Sequence, residues 1–336
     1  MALLEVRDLK VHFKIQNGWV KAVDGVSFSV DSGETLGLVG ESGCGKTTAA
    51  YAITQLLPTN GYIKGGSIYY KGQNLFSFSM KKDGRLDEYN EEIRKIRWKE
   101  ISMIFQGAMN AFNPVFRVGD QIIEAIRLHE DVEEEEALER TKDLFRFVGI
   151  PEDRVGNFPH EFSGGMKQRA MIALALALKP SFIIADEPTT ALDVITQDRV
   201  LAEIKKLQDQ LRMAMMIITH DVSVVAETAN KIAVMYAGRI MEIGTTSNVF
   251  HNTAHPYTSG LLGSFPSIEG PRKRLVSIPG TPPDLVNPPS GCPFHTRCRY
   301  AQQLCTDKVP PGIETDKGHI SFCHFAKELQ PELRRL

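Results

Sequence analysis

Hydrophobic and polar residues alternate through Lys10-Val11-His12-Phe13 and Val26-Ser27-Phe28-Ser29-Val30, the period-two pattern of half-buried strands. Residues 1–75 read as such segments separated by turns. Leu36-Gly37-Leu38-Val39 is a short apolar strand that runs into glycines, and the spacing predicts a helix from Lys46 to Leu57, stopped by Pro58. From about Met80 to Pro159 the pattern becomes charged and helical. Glu133-Glu134-Glu135-Glu136 opens an amphipathic stretch through Leu138, Leu144, Phe145 and Val148, and the acidic run reads as a solvated helix N-terminus. An α/β alternation then returns. It comprises a helix after Ser163 whose run Ala170 to Leu178 is buried, a strand 182–186, a helix from about Val194 to Leu211, strands Met215–Thr219 and Ile232–Tyr236, and a turn at Gly238. Beyond about Asn248, Pro and Gly become frequent and helices look short. The expected organisation is an α/β core over 1–80 and 160–250, a helical subdomain over 81–159 and a small C-terminal extension over 251–336.

Composition narrows the possible partners more than the fold. The 336 residues suffice for two or three domains. A formal net charge of −2 gives no electrostatic case for nucleic acid, which favours a basic face. No apolar run approaches the ~18–20 residues that cross a bilayer. Met1-Ala2-Leu3-Leu4-Glu5-Val6-Arg7 lacks the basic-then-apolar order of a secretory signal, so the expectation is a cytosolic chain with reduced thiols.

The chemistry lies where strands end. Gly40-Glu41-Ser42-Gly43-Cys44-Gly45-Lys46-Thr47 fits G-x-x-x-x-G-K-[ST], with an apolar strand before it and a helix after it. Its glycines let backbone amides close around β- and γ-phosphates, Lys46 neutralises charge and the Thr47 hydroxyl reaches Mg²⁺; Thr48 extends the same helix start. Cys44 reads as a small residue whose amide faces phosphate. Phe162-Ser163-Gly164-Gly165-Met166-Lys167-Gln168-Arg169 is a second glycine-rich helix start, whose free amides and positive dipole end suit phosphate. Two such starts on one chain suggest a composite site shared between two chains. Asp186-Glu187 closes the apolar strand Phe182-Ile183-Ile184-Ala185; Asp186 suits Mg²⁺ through water, and Glu187 suits orienting or deprotonating the attacking water. His220 and Gln106 likewise end apolar runs, where His220 could contact γ-phosphate and Gln106 the metal or water.

The order phosphate loop, Gln106, Ser163-Gly164-Gly165, Asp186-Glu187, Asp193 and His220 resembles the ATP-binding subunits of ABC transporters. More narrowly, Ala185-Asp186-Glu187-Pro188-Thr189-Thr190-Ala191-Leu192-Asp193, His255-Pro256-Tyr257 and Gly291-Cys292-Pro293-Phe294-His295 resemble the dipeptide/oligopeptide importers. The resemblance implies an α/β, P-loop ABC-type nucleotide-binding domain with a helical subdomain and a small cysteine-containing C-terminal appendage. It further implies ATP and Mg²⁺, with Thr47, Gln106 and Asp186 toward the metal. Phe13 would stack on adenine, with Trp19 the weaker candidate. Gln106 would couple metal and water to the helical subdomain. Ser163 and Gly165 would grip ATP held by a partner chain, and Asp193 would help order that seam. The implied partners are two transmembrane permease subunits, a second ATPase subunit, identical or not, and indirectly an extracellular or periplasmic binding protein. The implied place is the cytoplasmic face of the membrane.

Three departures stand out: Phe162 where Leu is commoner, Met166 where many relatives carry Gln, and Gly107-Ala108 in place of Asp-Pro. They touch the docking surface rather than catalytic groups. Oligosaccharide or nickel cargo, a soluble ABC ATPase outside transport and a regulator without turnover stay open as alternatives.

Cys292, Cys298, Cys305 and Cys323 are spaced C-x5-C-x6-C-x17-C in a Pro-rich segment poor in aliphatic residues, which suggests a metal staple. The spacing matches neither the close pairs of zinc sites nor ferredoxin patterns. The resemblance implies a [4Fe–4S] cluster, with zinc or unligated thiols as alternatives. His295, His319 and His324 read as surface residues rather than zinc ligands. Arg272-Lys273-Arg274 reads as a solvated linker.

Overall fold

The computed structural model describes residues 2–87, 89–107, 112–188, 194–264 and 278–333. Asp193, with Thr189 to Leu192, Ala108 and Arg272-Lys273-Arg274 fall outside them. The strands among the described residues are β1 (Leu4–Ile15), β2 (Gly18–Val30), β3 (Thr35–Val39), β4 (Gly61–Tyr70), β5 (Gln73–Asn74), β6 (Ile101–Ile104), β7 (Phe182–Asp186), β8 (Ala214–Thr219), β9 (Lys231–Tyr236), β10 (Arg239–Thr245), β11 (Ile313–Asp316) and β12 (His319–Ser321). The chain divides into two compact units: 1–30, 35–87 and 218–336 in one, and 31–34 with 88–217 in the other.

In the first unit β2-β1-β4-β5 form an antiparallel sheet, and β11-β12-β10-β9-β3 lie in a second, with β3 and β9 parallel. All five residues of β3 are buried, as its unbroken apolar run requires of a strand covered on both faces. β1 and β2 are longer than their alternation indicates. Register shifts around Leu9 and between Val11 and Phe13 change the face that faces inward, and Asp8 sits at φ 44° within the run. The helix that follows the phosphate loop spans Lys46–Ile53 and stops four residues short of Leu57. Thr54 turns its hydroxyl back to the Ala50 carbonyl at 3.0 Å and Gln55 takes φ 60°, so the helix ends before Pro58 can act. From the C-terminal segment, β12 pairs with β10 through Glu242↔Ser321 and Ile243↔Ile320, and extends the sheet.

In the second unit the strand order is β8-β7-β6, with β6 and β7 parallel in the register Ile101↔Phe182. This unit takes in the charged stretch together with strands the composition assigns to the core. Helix 118–129 buries Val118, Ile122, Ala125 and Ile126, one stripe at helical spacing, and carries Asp120 in its first turn and Arg127 and His129 in its last. Helix 134–147 opens on Glu134, Glu135 and Glu136, all exposed, and buries Ala137, Thr141 and Phe145. Phe145 is fully buried and meets Phe162 edge-on at 6.3 Å, so the aromatic departure at 162 fills core volume.

Candidate functional site

In the first unit β3 delivers the chain into the phosphate loop. Gly40 at φ 151° and Gly45 at φ 103° leave no room for a side chain: a Cβ would stand 2.0 Å from the Met235 carbonyl oxygen and 2.0 Å from that of Ala22. Ser42 and Gly43 are exposed at the crest, whereas Cys44 is buried. Burial raises the Cys44 thiol pKa, and its Sγ lies 3.6 Å from Lys46 Nζ, so it is a packed neutral thiol. Lys46 is 8% exposed and its Nζ donates to the carbonyls of Gly40 (2.8 Å) and Glu41 (2.9 Å), which fixes the ammonium within the loop. Thr47 and Thr48 open helix 46–53, whose first turn carries no acidic residue to compete with an anion. Phe13 is half-buried in β1 against Gly61, while Trp19 meets Tyr62 edge-on and has Lys64 Nζ 3.9 Å above its ring. His220 follows β8 and is exposed.

In the second unit β7 ends on Asp186, which is 1% exposed. Glu187 follows at φ 48°, a left-handed conformation that costs a non-glycine residue about 1–2 kcal/mol. Gln106, two residues past β6, donates its Nε2–H to Glu187 Oε2 at 2.7 Å. The parallel pairing of β6 with β7 brings these two side chains together across 81 residues. Ser163 caps helix 164–176, its Oγ accepting from the Met166 amide at 3.3 Å, and Gly164 and Gly165 form the first turn. From the same helix the buried Gln168 donates to the Pro188 carbonyl at 2.5 Å. This link between the second glycine-rich helix and the strand-end carboxylates is absent from the sequence reading, because nothing in a helical Gln marks its partner.

The C-terminal region reaches the phosphate loop within the first unit. The Glu41 amide donates to Tyr257 Oη at 2.9 Å. Arg297 forks onto the Glu41 carboxylate, Nη1 to Oε2 at 2.6 Å and Nη2 to Oε1 at 3.0 Å, and donates further to Tyr236 Oη, Pro279 O and Gly280 O. The hydrogen bond to Glu41 raises the already high guanidinium pKa, so the charge is permanent. A signal for this contact was readable: a long acidic side chain in a loop built for phosphate demands a cation. Which of the chain's arginines supplies it was not readable.

His319 overturns the surface reading. It is fully buried, its Nε2 is 2.7 Å from Glu242 Oε1, and Glu242 also accepts from the amides of Ala254 and His255. His295 Nδ1 lies 2.8 Å from the Cys292 carbonyl, and His324 Nε2 lies 2.9 Å from that of Lys308, which leaves each of those nitrogens as the protonated donor. Cys292, Cys298, Cys305 and Cys323 all line one cavity of about 20 Å³. Burial pushes the Cys292 thiol up to about 11 and Cys323 to about 12, and raises Cys298. Among the described residues, no group of three or more His, Cys, Asp or Glu is placed to hold a metal ion.

Residues 23–190 match the ABC transporter family, and residues 241–305 match the oligopeptide/dipeptide transporter C-terminal region. The chain is 47% identical to an oligopeptide transport ATP-binding protein of Bacillus subtilis (strain 168), over 94% of this chain and 87% of that one. It is 45% identical to a dipeptide transport ATP-binding protein of Lactococcus lactis, over 97% and 90% respectively, and 44% identical to an oligopeptide transport ATP-binding protein of Escherichia coli (strain K12), over 96% and 93%. The dimeric structure of a bacterial ABC transporter cassette superposes with a TM-score of 0.64 at 24% identity, covering 72% of this chain and 98% of that one, a likeness of fold. No helix among the described residues is long and apolar enough to cross a membrane. Phosphate loop, strand-end carboxylates and C-terminal region thus carry one signature from end to end, and the chain belongs to the ATP-binding subunits of the oligopeptide/dipeptide family of ABC transporters.

Proposed function

We propose that this chain hydrolyses ATP at the cytoplasmic face of the membrane to drive import of di- or oligopeptides through two separate permease subunits. It would work as one of two ATPase subunits, with cargo delivered by a binding protein outside. Peptides are favoured over oligosaccharides or nickel because the relatives matched over nearly the whole chain are named for peptides. A soluble ABC ATPase outside transport gains nothing from a chain that carries the transporter C-terminal region.

The residue roles follow from their chemistry. Lys46 and the amides of Gly40, Ser42, Gly43, Cys44 and Gly45 neutralise and orient the β- and γ-phosphates. Phe13 supplies the adenine platform. Thr47, Gln106 and Asp186 offer hydroxyl, amide and carboxylate oxygens, a hard donor set that fits Mg²⁺. Bound there, the cation would offset phosphate charge. Glu187 is the general base, oriented by Gln106, and His220 steadies the γ-phosphate. Ser163, Gly164 and Gly165 contribute a helix N-terminus to the nucleotide of the second ATPase subunit, and Asp193 supports that seam.

The observation that carries hydrolysis is Glu187 itself, a carboxylate kept in left-handed backbone and bonded at 2.7 Å to Gln106. Proteoliposomes containing the permease subunits, both ATPase subunits and trapped ATP provide the test. The wild type takes up labelled peptide and releases phosphate, whereas Glu187→Gln binds ATP and does neither. Unaltered turnover by that variant would refute the assignment.

For the cysteines we propose a [4Fe–4S] group. Four thiols lining one cavity form the soft donor set such a group takes, and the family resemblance favours it. The cavity is near the size of a water, so loading requires its walls to yield. Because the thiols are held protonated, loading also displaces protons from Cys292, Cys298 and Cys323. Anaerobically purified protein should be brown with iron and sulfide in equal amounts; colourless protein with stoichiometric zinc would overturn this.

A further inference from the structure

Glu41 is out of place by charge. It is the only acidic residue in a loop that receives a polyanion, and its carboxylate stands at the second position of that loop. Left alone it would repel the phosphates that Lys46 attracts. The structure supplies the compensation from more than two hundred residues away. Arg297, with its side chain only 4% exposed, meets the 24% exposed Glu41 carboxylate through both guanidinium arms. Tyr257 fixes the amide of the same residue, and the Glu41 carbonyl accepts from Lys46 Nζ and from the Cys44 amide. Side chain, N–H and C=O of one loop residue are therefore all fixed, two of the three by the C-terminal region.

The anchors are themselves braced. Tyr236, Tyr257 and Phe294 form a tilted and edge-on aromatic cluster with ring centroids 4.6 to 5.4 Å apart, and Arg297 lies 5.6 Å from the Tyr236 ring. Arg297 ends the short 3₁₀ turn His295–Arg297, and its Nε is held by the Pro279 carbonyl at 2.8 Å. Such a guanidinium has little freedom to leave the carboxylate.

We propose that the C-terminal region acts as a clamp on the phosphate loop, in which Arg297 is a positioning residue that cancels the Glu41 charge and, with Tyr257, holds Gly40-Glu41 in the form that accepts phosphate. Pre-ordering the loop lowers the entropy lost when nucleotide binds, and cancelling the carboxylate removes a repulsion. The clamp deepens the nucleotide reading and rests on it.

The test is equilibrium binding of a fluorescent ATP analogue to the full chain, paired with steady-state hydrolysis by the assembled transporter and thermal melting of each variant. Arg297→Gln leaves the carboxylate uncancelled and should weaken binding about tenfold, equal to about 1.4 kcal/mol. The loss should fall on KM more than on kcat and shrink as salt rises. Adding Glu41→Gln to Arg297→Gln should recover at least half of that loss, which a merely structural arginine would not allow. Arg297→Lys keeps the charge without the fork and should fall between wild type and Arg297→Gln, a reading that stands if the latter does not fold. Wild-type affinity in Arg297→Lys and Arg297→Gln, or no recovery in the double variant, overturns the clamp. Failure of the unmodified chain to bind the analogue would instead sink the nucleotide reading beneath it.

Discussion

The phosphate loop of the first unit and the strand-end carboxylate of the second are held in opposite ways. Around the loop, Glu41 is fixed at side chain, amide and carbonyl, Lys46 is buried with two carbonyl partners, and Gly40 and Gly45 tolerate no side chain. Glu187 sits in backbone that disfavours its residue type and takes a hydrogen bond from Gln106, whose side chain is exposed. Binding a polyanion rewards rigidity, because amides ordered in advance lose less entropy. The general base proposed for Glu187 would have to trade partners during turnover, and strain would keep its alternatives close in energy. The difference teaches that the two halves of the chemistry are supported by different means, redundancy in one and poise in the other.

Substitutions can break or sharpen this contrast. The largest effect belongs to Glu187→Gln, expected to lower kcat about 10²- to 10⁴-fold in phosphate-release assays while nucleotide binding persists. Lys46→Ala should act on the other side of the contrast, weakening nucleotide affinity about 10- to 100-fold in the same binding assay, as loss of a charge-assisted contact implies. Gln106→Ala, which removes the Nε2 hydrogen bond to Glu187 and leaves the carboxylate in place, should cost about tenfold in kcat with little change in affinity, and a loss confined to KM would contradict its orienting role.

Acid should loosen the redundant side. His255 caps the helix that carries Tyr257, and burial lowers its pKa from the ordinary 6.5 to about 3. The native state therefore keeps this ring neutral while the unfolded chain protonates it. Stability is full above about 6.5 and falls as pH drops toward 3, by about 1.4 kcal/mol per unit once well below 6.5. Hydrogen exchange between pH 6.5 and 5 should show the first unit opening progressively, and His255→Asn, which can still cap, should flatten the trend. The smallest effect is on stability: Glu187→Asn should raise it by about 0.5 kcal/mol in urea titration, since Asn tolerates φ 48°. A destabilised Asn variant would show that the strain is not there to relieve.

Much of this was legible before any coordinates. The phosphate loop, the capped second helix start and the β7 carboxylates announce themselves because each combines a residue type with a change of period, apolar strand to glycine to helix. The acidic run at 133–136 and the helix Val194–Leu211 read directly from their periodicity. Strand lengths did not, since bulges in β1 reset the alternation that sequence reading depends on. Long-range partners were hidden for a different reason. Gln168 with Pro188, Arg297 with Glu41 and His319 with Glu242 are pairs of ordinary polar residues, and only the fold decides which of many candidates meet. His319 shows the cost of the default: it reads as a surface residue, yet β12 carries it into the sheet.

The buried Glu242 ties strand β10 to the segments that follow it in the chain. Its carboxylate is satisfied by Ala254, His255 and His319, none of which precedes residue 250. A chain shortened to the ATPase cassette alone would lose all three of these partners and uncover the Glu242 side chain together with the edge of β10 that β12 pairs with. Removal of the tail would thus open a strand edge of the main sheet, a template for pairing between copies unless another element covered it.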